Sequence, residues 1–82
     1  MRHRINRKML EIKAHFINTI TESPQEYEPG HYYIDGGNGG YTLERVPEDE
    51  RGGSDDPLNI GHIPARELFG LMGAYIHGLQ DA

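Results

Sequence analysis

The chain has 82 residues, no cysteine and a net charge of −5 at neutral pH. This length suits one small domain, and the lack of cysteine excludes disulfides and thiolate sites. Small secreted domains usually need disulfides, so the lack of cysteine leads us to expect a cytoplasmic protein. No apolar run approaches the roughly 20 residues that span a bilayer, and none follows the basic N-terminus as in a signal peptide.

The charge is unevenly distributed along the chain. Residues 1–21 carry a balance of +4, residues 22–56 a balance of −8 and residues 57–82 a balance of −1. Such asymmetry is typical of proteins that dock electrostatically on a partner. Neutralisation of the basic and acidic parts against each other within one small fold would explain the same pattern.

The first predicted element is a basic helix in residues 1–21, with its regular part at 4–21. Its apolar residues recur at spacings of three and four, which places them on one buried stripe. The stripe comprises Ile5, Met9, Ile12, Phe16 and Ile20, and is widened on one side by Leu10 and Ile17. Pro24 ends the helix because the residue before a proline disfavours helical geometry.

A linker at 22–30 leads into a predicted hairpin at 31–46. Asn38-Gly39 favours a type I′ turn, and a four-residue loop at 37–40 would give the same register. One face then carries the apolar side chains of Tyr32, Ile34, Tyr41 and Leu43, and the other carries Tyr33, Asp35, Thr42 and Glu44. A phosphate-binding loop is the functional alternative, but no lysine follows these glycines and a strand comes next, so we favour the turn.

The next segments are a polar loop at 47–57 and a short third strand at 58–63. Asp49, Asp55 and Asp56 could bind a hard cation, but their spacing departs from that of an EF-hand, so we favour a solvated acidic loop. Leu58, Ile60 and His62 alternate as strand residues do.

The last predicted element is a helix at 64–80. Its apolar stripe comprises Leu68, Met72, Tyr75, Ile76 and Leu79, with Phe69 at the edge. A second face of small residues contains Gly70, Gly73 and Ala74. Because each helical glycine costs about 0.8–1 kcal/mol, we expect another backbone to approach this face closely. We favour the chain's own sheet as that neighbour, and a homodimer through the same three residues is the alternative.

The sequence predicts no catalytic, cofactor-binding or metal-binding residues. The five histidines form no H-E-x-x-H motif, and neither serine lies in a nucleophile motif. Four basic residues, Arg2, Arg4, Arg7 and Lys8, cluster at the start of the first helix and could contact nucleic-acid phosphates.

The hairpin "YYIDGGNGGYTLERV" followed by a helix opening "ARELFGLMGAYIHGL" resembles short uncharacterised open reading frames of bacteriophages and prophages. The resemblance covers about half of the chain. It implies a protein that binds and inhibits a host protein, such as a defence nuclease, in the host cytoplasm.

These observations predict an α+β domain in the order α-β-β-(β)-α, with an antiparallel hairpin or three-stranded sheet packed against two helices. The predicted function is that of a non-enzymatic protein-binding module. Its acidic surface would meet a basic protein surface, in part by imitating the charge of a nucleic acid. That surface comprises Glu44, Glu48, Asp49, Glu50, Asp55 and Asp56. The alternative is a small nucleic-acid-binding or regulatory protein that uses the basic first helix.

Overall fold

The computed structural model describes residues 4–37, 39–47, 55–58 and 60–81. Its elements are α1 (Arg7–Ile20), β1 (Tyr32–Gly37), β2 (Gly40–Arg45) and α2 (Ala65–Asp81). The two strands form an antiparallel sheet, and both helices pack against it and against each other. The predicted α+β class and the order α-β-β-α are confirmed.

Helix α1 begins at its N-cap, Asn6. The Asn6 side-chain oxygen accepts the backbone N–H of Met9 at 3.0 Å, which satisfies one of the free donors of the first turn. At the other end Glu22 has a φ of 56°, and the Ser23 N–H donates to the Asn18 carbonyl at 2.8 Å. This is the geometry of a Schellman motif, with Glu22 at the left-handed position.

The predicted buried stripe of α1 is wrong in its orientation. The buried residues are Leu10, Ala14, Ile17 and Asn18. Ile12 is 61% exposed and Phe16 is 42% exposed, although both belong to the predicted stripe. The burial reflects where the helix contacts the outer edge of β1, whereas the sequence pattern shows only which residues are apolar.

The hairpin has the predicted register. Tyr32 pairs with Arg45, Ile34 with Leu43 and Gly36 with Tyr41 along the ladder. Gly39 has a φ of +76°, as the predicted turn requires, whereas Asn38 lies outside the described residues. The Tyr41 ring lies over Gly36, 3.4 Å from where a Cβ would stand, so a ring covers the bare backbone as expected.

Residues 58–63 do not form the predicted third strand in the part of them that the structure describes. One isolated bridge, Tyr41 with Ile63, joins the segment to the outer edge of β2, and a second, Arg45 with Asp55, lies just before the segment. Between them Gly61 has a φ of +69°, which turns the backbone out of an extended path. The segment still contributes apolar side chains, because Leu58 and Ile63 pack against the core.

The core lies between the two helices and the sheet. It comprises Leu10, Ala14, Ile17, Tyr32, Ile34, Leu43, Leu68, Met72 and Ile76. At one end the hydroxyls of Tyr32 and Tyr75 lie 3.0 Å apart. Burial, with this hydrogen bond, raises the pKa of Tyr75 to about 12.

Candidate functional site

The predicted acidic surface is only partly described. Glu48, Asp49 and Glu50 lie outside the described residues. Asp55 is exposed, and its backbone N–H and carbonyl both pair with Arg45 at 2.9 Å. Glu44 is half-buried on β2, directly opposite Tyr33 and therefore on the same face of the sheet.

Asp56 has a structural role. Its Oδ2 accepts the backbone N–H groups of Ile60 at 3.1 Å and of Gly61 at 2.9 Å. A carboxylate that accepts two backbone donors holds a turn in place. Neutralisation of Asp56 would therefore disturb the turn at Ile60 and Gly61.

The four residues of the predicted basic cluster differ in their surroundings. Arg4 and Lys8 are exposed, and Arg2 lies outside the described residues. The Arg7 Nε donates to Glu11 Oε2 at 3.2 Å, and its Nη2 donates to the Ile34 carbonyl at 3.2 Å. Arg7 thus ties α1 to β1, which reduces its capacity to contact a phosphate.

The small-residue face of α2 does not contact the sheet, contrary to the favoured prediction. A Cβ at Gly70 would meet nothing within 4 Å, and one at Gly73 would meet only Lys13 Nζ at 3.7 Å. Ala74 is exposed. The core-facing stripe of Leu68 and Met72 lies on another side of the helix, and the homodimer stays a prediction.

Three rings that the sequence pattern left apart come together beside the start of β1. Tyr27 lies 5.5 Å from Tyr33 and 6.4 Å from His31, measured between ring centroids. The rings of His31 and Tyr33 are parallel within 8° at 6.0 Å. Tyr27 is 67% exposed, so the cluster presents an aromatic surface to solvent.

A tight turn brings these rings together. Gly30 has a φ of +96°, and the His31 N–H donates to the Glu28 carbonyl at 3.0 Å. Pro29 followed by a glycine at positive φ is typical of a type II turn. The turn folds Tyr27 back over the residues that follow it.

Three carboxylates are neighbours of the ring cluster, either in the chain or across the hairpin. Glu26 and Glu28 flank Tyr27 in the chain and are exposed, and Glu44 lies opposite Tyr33 on the paired strand. We call the three rings and these three carboxylates the acidic–aromatic surface. Ring faces attract cations, and the carboxylates add to that attraction, so the surface is suited to a cationic group.

The sequence pattern does not single out Tyr27 or His31 as site residues, because Tyr27 lies in the polar segment 22–30, which contains little to bury, and His31 stands at the start of the predicted hairpin. The Pro29-Gly30 pair was the available signal, since a turn there brings residues on either side of it together.

A histidine–carboxylate pair lies near the hairpin turn. His62 Nε2 is 2.8 Å from Asp35 Oδ2, with the two side chains 25% and 50% exposed. The His62 ring also lies against Gly37, 3.4 Å from where a Cβ would stand. The pair joins residues 60–63 to β1 and, with the Tyr41–Ile63 bridge, fixes their path.

Neither a metal site nor a membrane span was found in the described part of the chain. No group of three or more histidines, aspartates or glutamates there could hold a metal ion. Neither described helix is both long and apolar enough to cross a bilayer.

Comparisons with protein-family models, with curated proteins and with solved structures found no match for this chain. The resemblance to phage reading frames therefore stays a prediction.

Proposed function

We propose that this chain is a small protein-binding module whose acidic–aromatic surface docks on a basic segment of a partner protein. The observation that carries the proposal is the exposed ring cluster of Tyr27, His31 and Tyr33 among carboxylates. Tyrosine is enriched at interfaces because its ring contributes contact area while its hydroxyl tolerates water. The proposal needs no catalytic step.

The acidic segment strengthens the proposal at longer range. Residues 22–56 hold ten acidic residues against two arginines. Charges at the rim of an interface mainly accelerate encounter with a partner of opposite charge. The rings would then provide the short-range contact, and the carboxylates Glu44, Glu48, Asp49, Glu50 and Asp55 the steering.

The more specific proposal, a phage-type inhibitor of a host protein or defence nuclease that acts in the host cytoplasm, is supported only by the resemblance of the hairpin and second helix. Imitation of nucleic-acid charge by the acidic segment belongs to the same proposal.

The proposal is tested with a basic peptide as the probe. At low ionic strength, an octapeptide that alternates glycine with arginine should bind, and Tyr27→Ala should weaken binding about two- to fivefold, the range expected for an exposed cation–π contact. Phe16→Ala is the matched control, because Phe16 is an exposed aromatic on the outer side of α1. Failure of the wild-type protein to bind, or equal loss in both variants, would contradict the proposal.

The alternative, nucleic-acid binding by α1, is supported by the exposure of Arg4 and Lys8. It predicts binding of duplex DNA that falls steeply with salt and weakens in the double variant Arg4→Ala, Lys8→Ala. If DNA binds under conditions in which the basic peptide does not, the alternative replaces the first proposal.

A further inference from the structure

A cavity of about 240 Å³ lies between α1 and the outer edge of β1. Its lining includes the side chains of Glu11, Asn18, Gln25, His31 and Tyr33. Pockets for whole drug-sized ligands measure roughly 300–1,000 Å³, so this one matches a single side chain better than a small molecule. His31 and Tyr33 also belong to the acidic–aromatic surface, so the pocket is continuous with it.

The hydrogen-bond pattern shows what His31 offers to the pocket. His31 Nδ1 lies 2.8 Å from the Pro24 carbonyl oxygen, which can only accept, so Nδ1 carries the proton. In a neutral ring Nε2 is then an acceptor. The contact from Asn18 Nδ2 to His31 Nδ1 is longer, at 3.3 Å, so we assign the proton on Nδ1 from the shorter contact with the Pro24 carbonyl, at 2.8 Å.

Glu11 supplies the charge of the pocket. Its Oε2 accepts from Arg7 Nε at 3.2 Å, and the two side chains are 55% and 51% exposed. An exposed i,i+4 ion pair of this kind contributes little to stability, so a second guanidinium can compete for the carboxylate. The existing pair also shows that Glu11 is placed to receive a guanidinium.

We propose that this pocket receives the guanidinium of an arginine side chain from the basic partner, an inference that rests on the proposed function. A guanidinium is planar, presents five N–H donors in a fixed fork and stacks on aromatic faces. The lining of the pocket includes matching groups, which are the Glu11 carboxylate, the His31 ring and the ring of Tyr33. A lysine ammonium is compact and strongly hydrated, and it cannot use a ring face and a carboxylate in the same planar way.

The test compares two octapeptides of equal length and charge, one alternating glycine with arginine and the other glycine with lysine. Calorimetry at low salt should show that the arginine peptide binds about fivefold more tightly, the advantage expected of a bidentate, stacked contact. Glu11→Gln should reduce this preference towards one. Glu67→Gln is the matched control, since Glu67 is an exposed carboxylate on α2.

The outcomes separate the two proposals. If neither peptide binds, the proposed function fails and this inference fails with it. If both peptides bind equally to the wild-type protein, the proposed function stands and the arginine pocket is overturned. An arginine preference that survives in Glu11→Gln also overturns it. In NMR spectra the arginine peptide should shift the Asn18 side-chain amide and the His31 ring, and shifts confined to Tyr27 would place the arginine outside the pocket.

Discussion

Asn18 takes the place of a neighbouring strand at the outer edge of β1. Its side-chain oxygen accepts the Tyr32 N–H at 2.8 Å, and its amide donates to the Tyr32 carbonyl at 2.9 Å, while the side chain is only 1% exposed. The Arg7 Nη2 donates a hydrogen bond to the Ile34 carbonyl further along the same edge. An exposed edge invites pairing with another chain, so these contacts favour recognition through side chains over strand addition.

Replacement of Asn18 should therefore be costly. Asn18→Leu would leave a buried N–H and a buried carbonyl of Tyr32 without partners, each worth about 1–3 kcal/mol. We expect the free energy of unfolding to fall by about 2–4 kcal/mol in urea denaturation. Thr19→Ala, at an exposed position on the same helix, is the control. A loss no larger than that of the control would show that the Asn18 contacts are dispensable.

Two glycines should respond to alanine in opposite directions. A Cβ at Gly40 would lie 2.6 Å from the Ile63 carbonyl oxygen, a backbone atom that cannot move away cheaply, whereas a Cβ at Gly70 meets open space. We expect Gly40→Ala to lower the free energy of unfolding by about 1–3 kcal/mol through overpacking. Gly70→Ala should raise it by about 0.8–1 kcal/mol through helix propensity.

Thermal and urea unfolding of both variants would check this pair of predictions. A loss of stability in Gly70→Ala would reveal a neighbour on that face, such as a second copy of the chain, and sedimentation of the wild-type protein would then distinguish a dimer from a monomer.

At the scale of elements, α1 contacts two structures at once. Asn18 hydrogen-bonds the Tyr32 backbone of β1, and Lys13 reaches α2, where its Nζ lies 4.3 Å from the centroid of the Phe69 ring. Because β1 and α2 cover these sides of the helix, Ile12 and Phe16 remain exposed to solvent. The apolar residues of α1 extend around more of the helix than the core can cover.

The C-terminus of α1 offers a stabilising substitution. Glu22 is a non-glycine residue with a φ of 56°, a conformation that costs an ordinary residue about 1–2 kcal/mol. Glu22→Gly relieves this cost, but glycine also has more entropy in the unfolded chain, which offsets part of the gain. We therefore expect the free energy of unfolding to rise by at most about 1 kcal/mol.

Glu26→Gly, at an exposed position in the following loop, removes the same charge without a left-handed conformation to relieve. Equal changes in the melting temperatures of the two variants would mean that charge, and not backbone geometry, is responsible.

At the scale of the whole molecule, the acidic charge concentrated in residues 22–56 leads to a prediction about the rate of association. Replacement of Glu48, Asp49, Glu50 and Asp55 by their amides should slow association with the arginine octapeptide and weaken its salt dependence, because long-range attraction sets the encounter rate. Asp56 is left unchanged, since its carboxylate holds the turn at Ile60 and Gly61.

Stopped-flow measurements at two salt concentrations would test this prediction, with circular dichroism to verify the fold. If association at low salt is as fast in the variant as in the wild-type protein, the acidic segment takes no part in steering, and the rings and Glu11 act alone.

The sequence by itself determined the hairpin register and the buried side of α2. The alternation of apolar residues on either side of Asn38-Gly39 predicted each pairing from Tyr32↔Arg45 to Gly37↔Gly40, because a one-residue slip would move every apolar side chain to the other face. The stripe of Leu68, Met72 and Ile76 likewise predicted the buried side of α2. In both elements a single periodicity left one choice of buried face.

Tertiary structure decided which side of α1 is buried and which side chains come together in the candidate site. Apolar residues extend around so much of α1 that its sequence allowed several orientations, and contacts with β1 and α2 selected Leu10 and Ile17 over Ile12 and Phe16. The site arose in the same way, since the Pro29-Gly30 turn and the Glu11 side of α1 bring Tyr27, Glu11 and Tyr33 to one edge of the sheet. Periodicity describes one element at a time, whereas a site depends on distances between elements, and those are set by the packing of the whole chain.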